Sequence, residues 1–331
     1  MLQSQWSPDG IALVDIKPPP LADGWVRLRV AACGICGSDL HQYRRELRAR
    51  TGGAPGHECV GTVLDGPKGL RDALYAVEPW THCRSCDLCL AGLYHLCAKS
   101  LLIGGQLPGG LAEFIDAPAY GVHVVDASVP PLEASMAEPL AVCVRGVHLA
   151  ELQMDSRALV LGGGSIGLLT GLLARDRATS VAITVRYPHQ RVAAERLGLT
   201  AISEQDAEAW ARDHEPDVVI ETVGGHADTI NQAIRYCRRG GRVVVLGIFS
   251  KPTPIEGMQL VTKEVHVTGS IIYGPGRRGS EFRAGVGLLP RYLGEIRALQ
   301  THQFPLSQVR DAFECADDKK SGAIKVTLLA E

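Results

Sequence analysis

The stretch LVLGGGSIGLL, residues 159–169, decides the fold of this chain. An apolar run ends in a glycine-rich turn with the spacing G-x-G-x-x-G, and a second apolar run follows. This pattern is typical of a strand that turns tightly into a helix, whose free N–H groups can receive a pyrophosphate. Because a strand precedes the motif and a helix follows it, the match is more specific than three glycines alone would be. We therefore predict a dinucleotide-binding site formed by Gly162, Gly164, Ser165, Ile166 and Gly167.

Strand-like and helix-like segments alternate around this motif. DVVIETVGG (217–225) and RVVVLGIFS (242–250) are typical of buried parallel strands, and HQRVAAERLG (189–198) of a glycine-capped helix. The alternation predicts a doubly wound parallel sheet, in which ligands bind at the carboxyl ends of the strands. The later strand ends add to the predicted cofactor site Thr222, Val223, Leu246, Gly247, Ile248, Ser270 and Ile271.

The second strand of this sheet is predicted to end at Arg186. NAD-binding domains place Asp or Glu there, where the carboxylate binds the ribose 2′-hydroxyl and repels a 2′-phosphate. A guanidinium instead offers a planar, charged fork to a phosphate. We therefore expect NADP(H) to be preferred and NAD(H) to be possible. The alternative is that Arg186 points to solvent and that NAD(H) is used without the acidic contact.

Four cysteines, Cys83, Cys86, Cys89 and Cys97, form a C-x2-C-x2-C-x7-C cluster. Four thiolates in one short segment suit a tetrahedral zinc ion and leave no position for water or substrate, so the predicted site is structural. The alternative is a pair of disulfides in a secreted domain. The chain opens with neither the basic nor the apolar region of a signal peptide. We therefore expect a cytoplasmic protein, in which such a cluster binds metal.

A second set of metal-binding residue types occurs in CGICGSDLH (33–41) and GHE (56–58). Cys36, His57 and Glu58 offer a thiolate, an imidazole and a carboxylate. Three such ligands leave a tetrahedral zinc one open position, as a catalytic zinc requires. A cation there would acidify an alcohol and prepare it for hydride loss. The alternative for either motif alone is a buried cysteine beside a hydrogen-bonded histidine.

Length and composition limit the number of domains and the kinds of binding partner that the chain can have. A chain of 331 residues exceeds one typical core, which predicts two domains. Its net charge of −2 predicts no attraction to nucleic acid or to an anionic membrane. The longest apolar segment, residues 158–174, is too short and too rich in glycine to span a bilayer. The first 130 or so residues are rich in Gly and Pro with short β-like runs, which indicates an irregular barrel or sandwich.

Taken together and in this order, CGICGSDLH, GHECVG, the four-cysteine cluster, AEPLAV and GGGSIG resemble the zinc-containing medium-chain dehydrogenases/reductases. The resemblance covers essentially the whole chain. It implies an α/β protein with a GroES-like, β-rich catalytic domain and a Rossmann domain with a doubly wound parallel sheet. The expected ranges are 1–135 for the catalytic domain, with the zinc lobe at about 80–100, 136–273 for the Rossmann domain, and 274–331 for the return to the catalytic domain.

The resemblance is to the polyol and threonine dehydrogenase branch, because Glu138 stands where alcohol dehydrogenases of the family place a cysteine ligand. It implies that Cys36, His57 and Glu58 bind the catalytic zinc. Glu138 is implied as a second carboxylate that binds zinc directly or through water. The alternative for Glu138 is a carboxylate favoured by a helix N-terminus.

The same resemblance implies a proton relay. Ser38 would accept the proton of the alcohol, and His41 would pass it to solvent, a step that suits an imidazole. The alternative for His41 is an exposed helical histidine. Asp39 is expected only to cap its helix. The arginine-rich segment 42–55 would border the substrate cleft, and we interpret it as a solvated loop rather than as a contact for polar or acidic substrate groups.

The activity implied is hydride transfer between NADP(H) and a small alcohol or ketone, a polyol, sugar or cyclitol for example, with two zinc ions per chain. The predicted cofactor residues at the ends of the later strands would line the adenosine and nicotinamide pockets. Arg191 matches the helix arginine that the family usually has five residues after the position of Arg186. Residues 267–273 resemble the strand that joins two subunits, so a homodimer or homotetramer is expected. The alternatives are an NAD-dependent amino-cyclitol or aminoalcohol dehydrogenase and a non-catalytic dinucleotide-binding protein.

Overall fold

A computed structural model describes residues 1–46, 53–277 and 279–330 of the chain. These residues pack as two compact units. The first comprises residues 1–138 and 274–331, and the second comprises residues 139–273. Both ends of the chain therefore belong to one unit.

The helices and strands follow one another in three parts. The N-terminal part contains β1 (Leu2–Ser7), β2 (Gly10–Asp15), β3 (Trp25–Gly34), α1 (Gly37–Tyr43), β4 (Glu58–Asp65), β5 (Leu74–Val77), α2 (Asp87–Leu90), β6 (Phe114–Pro118), β7 (Val122–Val124), α3 (Pro131–Ala134) and α4 (Ala137–Ala150). The middle part contains β8 (Arg157–Leu161), α5 (Ser165–Arg175), β9 (Ser180–Val185), α6 (Pro188–Arg196), β10 (Thr200–Ser203), α7 (Ala207–His214), β11 (Val218–Glu221), α8 (Thr229–Tyr236), β12 (Arg242–Val245), α9 (Gly257–Lys263) and β13 (His266–Gly269). The C-terminal part contains β14 (Pro275–Gly276), β15 (Gly279–Ser280), α10 (Glu281–Leu288), α11 (Leu293–Leu299), β16 (Gln300–Pro305), α12 (Val309–Asp317) and β17 (Lys325–Leu329).

The first unit is built on a seven-stranded sheet in the order β16-β17-β3-β4-β5-β7, with β6 also paired to β3. Along β3 the side chains alternate as a half-buried strand requires: Val26, Leu28 and Val30 are buried and Arg29 is exposed. Phe313 of α12 packs in the same core. The C-terminal segment thus completes the core that the N-terminal strands begin, and this unit is the predicted GroES-like domain.

The second unit is a six-stranded parallel sheet in the order β10-β9-β8-β11-β12-β13. Its central strand β8 is fully buried at Ala158, Leu159 and Val160, as expected of a strand covered on both faces. This strand order is that of the Rossmann fold, which confirms the predicted doubly wound sheet. Among the described helices, none has the length and apolar character needed to cross a bilayer.

The last strand of this sheet is shorter than its sequence indicates. The apolar segment VHVTGSIIYG suggests a strand as far as Tyr273, but β13 ends at Gly269. Directly after it, the Ser270 hydroxyl donates to the carbonyl oxygen of Ile272 at 3.1 Å. This local bond lies where the strand ends. Since β13 is an edge strand, it has no outer neighbour within the described part of the chain to hold it extended.

Candidate active site and metal centres

The first candidate ligand lies between the end of β3 and the start of α1. Cys36 is the N-cap residue of α1. The carboxylate of Asp39, three residues later, accepts a hydrogen bond from the backbone N–H of Cys36 at 3.0 Å. Asp39 therefore caps its helix as predicted, and this bond fixes the backbone that carries the Cys36 thiol.

The structure brings three of the predicted ligands together. Cys36, His57 and Glu58 each offer one ligand atom within 4.8 Å of the other two. His57 is 6% exposed and Glu58, the first residue of β4, is 1% exposed. Within the described part of the chain, the buried Nδ1 of His57 has no hydrogen-bond partner. A set of one partly buried sulfur donor with one buried nitrogen and one buried oxygen donor fits a zinc ion.

The charges around His57 also suit a cation. Burial alone would lower the pKa of its imidazole, but the negative charges of Asp39 and Cys36 raise that pKa well above its usual 6.5. Glu138, at the start of α4, is also buried, and burial raises the pKa of its carboxyl to about 7. Glu138 is not in the three-residue cluster, so its predicted role at the metal stays a prediction.

One buried residue of this site was missed in the sequence. Lys325, the first residue of β17, is 2% exposed and forms an ion pair with Glu58. Its ammonium also donates to the carbonyl oxygen of Ile35 at 3.1 Å. Gly34 provides the space, since a Cβ atom there would stand 2.2 Å from the Glu58 carboxylate. The sequence feature that could have revealed it is the single lysine inside the apolar strand AIKVTLLA, because a lysine is almost never buried without a charged partner.

The two residues of the predicted proton relay lie one turn apart on α1. Residues i and i+3 of a helix share one face, so Ser38 and His41 lie on the same side of it. His41 Nδ1 is paired with the carboxylate of Glu46. Ser38 and His57 both line a cavity of about 410 Å³ in the first unit. Ser38 and His57 therefore share one cavity, and the relay through Ser38 and His41 stays a prediction.

The four-cysteine cluster forms a second candidate centre, on α2 and the turns beside it. Cys83 Sγ lies 3.8 Å from Cys89 Sγ, and Cys86 Sγ lies 3.9 Å from Cys97 Sγ. A tetrahedral zinc site with Zn–S bonds of about 2.3 Å separates its sulfurs by roughly 3.8 Å. All four thiols are free and these distances far exceed an S–S bond of about 2.05 Å, so the disulfide alternative is not what the structure contains.

The protonation of the thiols supports the same fit. Hydrogen bonds from Ser85 lower the pKa of the Cys83 thiol to about 5, whereas burial raises that of Cys89 to about 12. The protein alone therefore does not hold all four as thiolates. A bound zinc ion would supply the positive charge that allows it.

In the second unit, the glycine motif forms the predicted turn between β8 and α5. Gly162 has a φ of +107°, and its N–H donates to the Thr184 hydroxyl at 2.8 Å. Gly167 lies so close to this turn that a Cβ atom would stand 1.8 Å from the Gly162 carbonyl oxygen. The Thr222 hydroxyl donates to the carbonyl oxygen of Leu161 at 2.7 Å. The turn is thus held rigid, with Gly164 at the N-cap of α5.

Arg186, the predicted phosphate reader, follows β9 directly. Its Nε donates to both carboxylate oxygens of Glu204, at 3.1 and 3.0 Å, and its side chain is 60% exposed. Arg191 on α6 is engaged differently, because its Nη1 donates to the carbonyl oxygen of Ala201 at 2.7 Å. Arg186 is therefore the more accessible of the two guanidinium groups.

Comparisons with known proteins identify the family. Residues 22–127 match the alcohol dehydrogenase GroES-like domain, and residues 165–289 match the zinc-binding dehydrogenase domain. Sorbitol dehydrogenase of Bacillus subtilis is 30% identical over 96% of this chain and 93% of its own. The chain belongs to the zinc-containing medium-chain dehydrogenase/reductase family.

Two further relatives of this dehydrogenase extend the comparison. The 2-dehydro-3-deoxy-L-galactonate 5-dehydrogenase of Pseudoalteromonas atlantica is 28% identical over 90% of each chain. A zinc-binding dehydrogenase of Sinorhizobium meliloti, solved with NADP bound, is 29% identical with a TM-score of 0.87 over 99% of this chain and 98% of its own. The present chain is thus an oxidoreductase of the zinc-dependent alcohol and polyol type, and the non-catalytic alternative is set aside.

The remaining predicted cofactor residues of the dehydrogenase differ in accessibility. Val223, Ile248 and Ile271 are 39%, 42% and 49% exposed, whereas Leu246 is buried. A Cβ atom on Gly146 of α4 would stand 2.7 Å from Leu246 Cδ1, so this leucine packs inside the unit. The exposed side chains are the ones available to a ligand.

Glu221, at the end of β11, shapes the strand ends and was not singled out in the sequence. It is fully buried, and one carboxylate oxygen accepts the N–H groups of Val223 and Gly224, both at 2.8 Å, and the Thr229 hydroxyl at 2.7 Å. A Cβ atom on Gly247 would stand 2.3 Å from the other oxygen. This carboxylate therefore fixes the turn that carries Val223 and requires glycine at position 247, two residues after the end of β12.

Proposed function

We propose that the enzyme interconverts a secondary alcohol, of the polyol or sugar type, and its ketone by hydride transfer with NADP(H). The observation that carries this is the donor set of the partly buried Cys36 and the buried His57 and Glu58, of which His57 lines a cavity that Ser38 also lines. Three ligands leave a tetrahedral zinc one position for substrate. The four thiols of Cys83, Cys86, Cys89 and Cys97 would hold a second, structural zinc.

When bound, zinc supplies positive charge to the substrate oxygen and the nicotinamide exchanges the hydride. The chain contributes the proton path. The Ser38 hydroxyl takes the proton of the substrate hydroxyl in the oxidation direction and returns it in the reduction direction. His41 exchanges that proton with solvent. Because its Nδ1 is held by Glu46, the Nε2 atom is the one left for this exchange.

Lys325 limits the negative charge of the site. Glu58, Glu138 and Asp39 are all buried near His57. Three carboxylates and a thiolate around one dication would leave a surplus of negative charge in a dry environment, which is unfavourable. The ammonium of Lys325 offsets one of these charges and holds Glu58 in position against β3.

The preference for NADP(H) rests on Arg186. Glu204 occupies the Nε edge of this guanidinium, which leaves the two Nη groups for a 2′-phosphate. The relative from Sinorhizobium meliloti was solved with NADP, which supports the same assignment. If Arg186 pairs only with Glu204 and binds no 2′-phosphate, NAD(H) would be used without a carboxylate that contacts its ribose.

The expected assembly is a homodimer formed through the edge strand β13. Large apolar side chains are exposed on β13 and on the helix that precedes it, with Val267 at 39%, Met258 at 76% and Val261 at 72%. Unpaired strand edges and exposed apolar patches favour association. Pairing of β13 with a second copy would join two six-stranded sheets into one.

Turnover of polyols, sugars, cyclitols and simple secondary alcohols, each with NADP and NAD, tests the proposal. We expect one substrate class to be oxidised with NADP preferred, and Arg186→Ala to remove that preference by raising the KM for NADP about tenfold or more.

Cys36→Ser should abolish turnover while dinucleotide binding remains. Cys315→Ser, a thiol outside both clusters, is the matched control. Full activity of Cys36→Ser would contradict the catalytic assignment, and a native preference for NAD would contradict the role of Arg186.

A further inference from the structure

The end of helix α1 brings Glu46 back onto His41. The helix closes with two backbone hydrogen bonds, from the N–H of Arg45 to the carbonyl oxygen of Gln42 at 3.0 Å and from the N–H of Glu46 to that of His41 at 2.9 Å. These two bonds form a Schellman motif, in which the last residue of the turn commonly makes a hydrophobic contact with the helix. Here the contact is polar instead, because the Glu46 carboxylate pairs with His41 Nδ1.

The turn that carries Glu46 needs an unusual backbone conformation. Arg45 has a φ of +59°, in the left-handed region where glycine is the usual residue and a side chain is strained. The residue before it, Arg44, is tied by its Nε to the carboxylate of Asp317 on α12. The end of α1 is thus anchored to a second helix, and Glu46 is joined to His41 through both its backbone and its side chain.

The contact with Glu46 selects one form of the His41 ring. A neutral imidazole carries its proton on either Nδ1 or Nε2, and a carboxylate beside Nδ1 accepts a hydrogen bond from the form that is protonated there. The lone pair of Nε2 can then receive a second proton. The carboxylate also stabilises the imidazolium that results, as the aspartate of a serine-protease triad does. The geometry therefore suits a histidine that takes up and releases protons at Nε2.

The charges and exposure around this pair make a purely structural role insufficient. Arg44 Nη1 lies 3.9 Å from one carboxylate oxygen of Glu46, and its closer contact is with Asp317. The side chains of His41 and Glu46 are 19% and 25% exposed. Ion pairs that are open to solvent contribute little to stability. If Glu46 only stabilised the helix end, its removal would have small effects on folding and no specific effect on proton transfer.

We propose that Glu46 is a positioning residue of the proton relay, which holds His41 in the Nδ1–H form so that Nε2 can receive the proton. In the oxidation direction, a proton released by the Ser38 hydroxyl adds to the Nε2 lone pair of His41. The imidazolium then gives this proton to water, and the Nδ1–H bond stays intact throughout. This inference rests on the proposed function and adds to it the residue that determines which form of His41 is present.

The kinetic test is Glu46→Ala, which removes the carboxylate and keeps the His41 ring. We measure kcat and KM for the alcohol that wild type oxidises fastest, at several concentrations of HEPES buffer and constant ionic strength. Loss of the relay predicts that kcat falls about 10-fold or more while KM changes less than about twofold. The kcat of the variant should recover as HEPES is added, because an external base can then take the proton. Wild type should not respond to HEPES.

Glu314→Ala is the matched control. It removes an exposed carboxylate from α12, the helix that packs on α1 through the rings of Phe313 and Tyr43, whose centroids are 5.3 Å apart. The control should leave kcat, KM and the response to HEPES unchanged. An unchanged kcat in Glu46→Ala would overturn the proposal. So would a lowered kcat that HEPES does not restore.

A measurement without turnover separates failure of this inference from failure of the proposed function. Long-range ¹H–¹⁵N spectra of labelled histidines show which ring nitrogen is protonated, and His41→Gln assigns the signal. At about pH 9, above the range in which histidines usually titrate, we expect Nδ1–H in wild type and a shift toward Nε2–H in Glu46→Ala. If no alcohol is turned over, the proposed function fails, and this shift still supports the role of Glu46. Nε2–H in wild type, or the same form in both proteins, contradicts that role.

Discussion

Single residues determine the charge balance of the catalytic unit. Lys325 and Glu58 are nearly inaccessible to solvent, and each is the main counter-charge of the other. Burial alone would lower the pKa of the Lys325 ammonium, but the Glu58 carboxylate outweighs it and raises that pKa. The pair is therefore retained as an ion pair in the interior. Removing one partner leaves an uncompensated buried charge, which is more harmful than removing both.

Lys325→Met is expected to lower the free energy of unfolding by about 3–5 kcal/mol, because it leaves the Glu58 carboxylate buried and unpaired. The double variant Lys325→Met/Glu58→Gln should recover most of this loss, since both charges are then absent. Urea unfolding of metal-free protein, followed by circular dichroism, measures both. A double variant that is as unstable as the sum of the two single variants would contradict the pairing.

Among the structural elements, the features that the sequence predicts correctly are those whose residues lie close together in the chain. The cysteines of the lobe are 3, 3 and 8 residues apart, and the glycines of the motif lie within six residues, so local chain geometry alone brings their atoms together. The β-branched runs likewise predicted the parallel strands of the second unit.

The ion pair that sequence analysis missed depends on distant pairings. Lys325 meets Glu58 only because β17 pairs with β3 and β3 pairs with β4. This contact does not follow from periodicity, because it requires the register of a strand against partners that are far away in sequence.

Asp217 links three elements of the second unit and gives a test at this scale. Its carboxylate accepts the N–H of Arg157 at the start of β8 at 2.8 Å, and Arg238 Nε before β12 at 2.6 Å. Burial alone would raise the pKa of Asp217, but these two donors outweigh it and hold the pKa below its usual 3.8. The stabilisation is therefore complete above that value and is lost as the solution is acidified through the folded-state pKa.

Asp217→Asn should lower the unfolding free energy at pH 7 by about 1 kcal/mol, because the ion pair is partly exposed. The difference from wild type should begin to shrink as the pH falls below about 4, because the carboxyl of the unfolded wild-type chain is protonated there before that of the folded protein. Urea titrations at pH 7 and pH 3.5 measure this. A difference that is unchanged or larger at pH 3.5 would contradict the electrostatic origin.

At the scale of the whole molecule, association through β13 is the expectation that is simplest to test. Met258 and Val261 are three residues apart on α9 and so share one face of the helix. Met258→Lys/Val261→Lys places like charges in the proposed interface and should shift wild-type dimer toward monomer in sedimentation velocity experiments. Met154→Lys, at a residue that is 92% exposed elsewhere in the same unit, is the matched control. Unchanged sedimentation of the double variant would place the interface on another surface.

Two zinc ions with separate roles are proposed for each chain, and zinc content is the measurement that tests this assignment most directly. Purified wild type, Cys36→Ser and Cys97→Ser are compared by elemental analysis against protein concentration. We predict two zinc ions per chain in wild type and one in Cys36→Ser, which should remain folded and inactive. Cys97→Ser should lose the structural ion and with it the order of the lobe. One zinc ion per wild-type chain, or two in an inactive Cys36→Ser, would contradict the assignment of Cys36 to a catalytic centre distinct from the lobe.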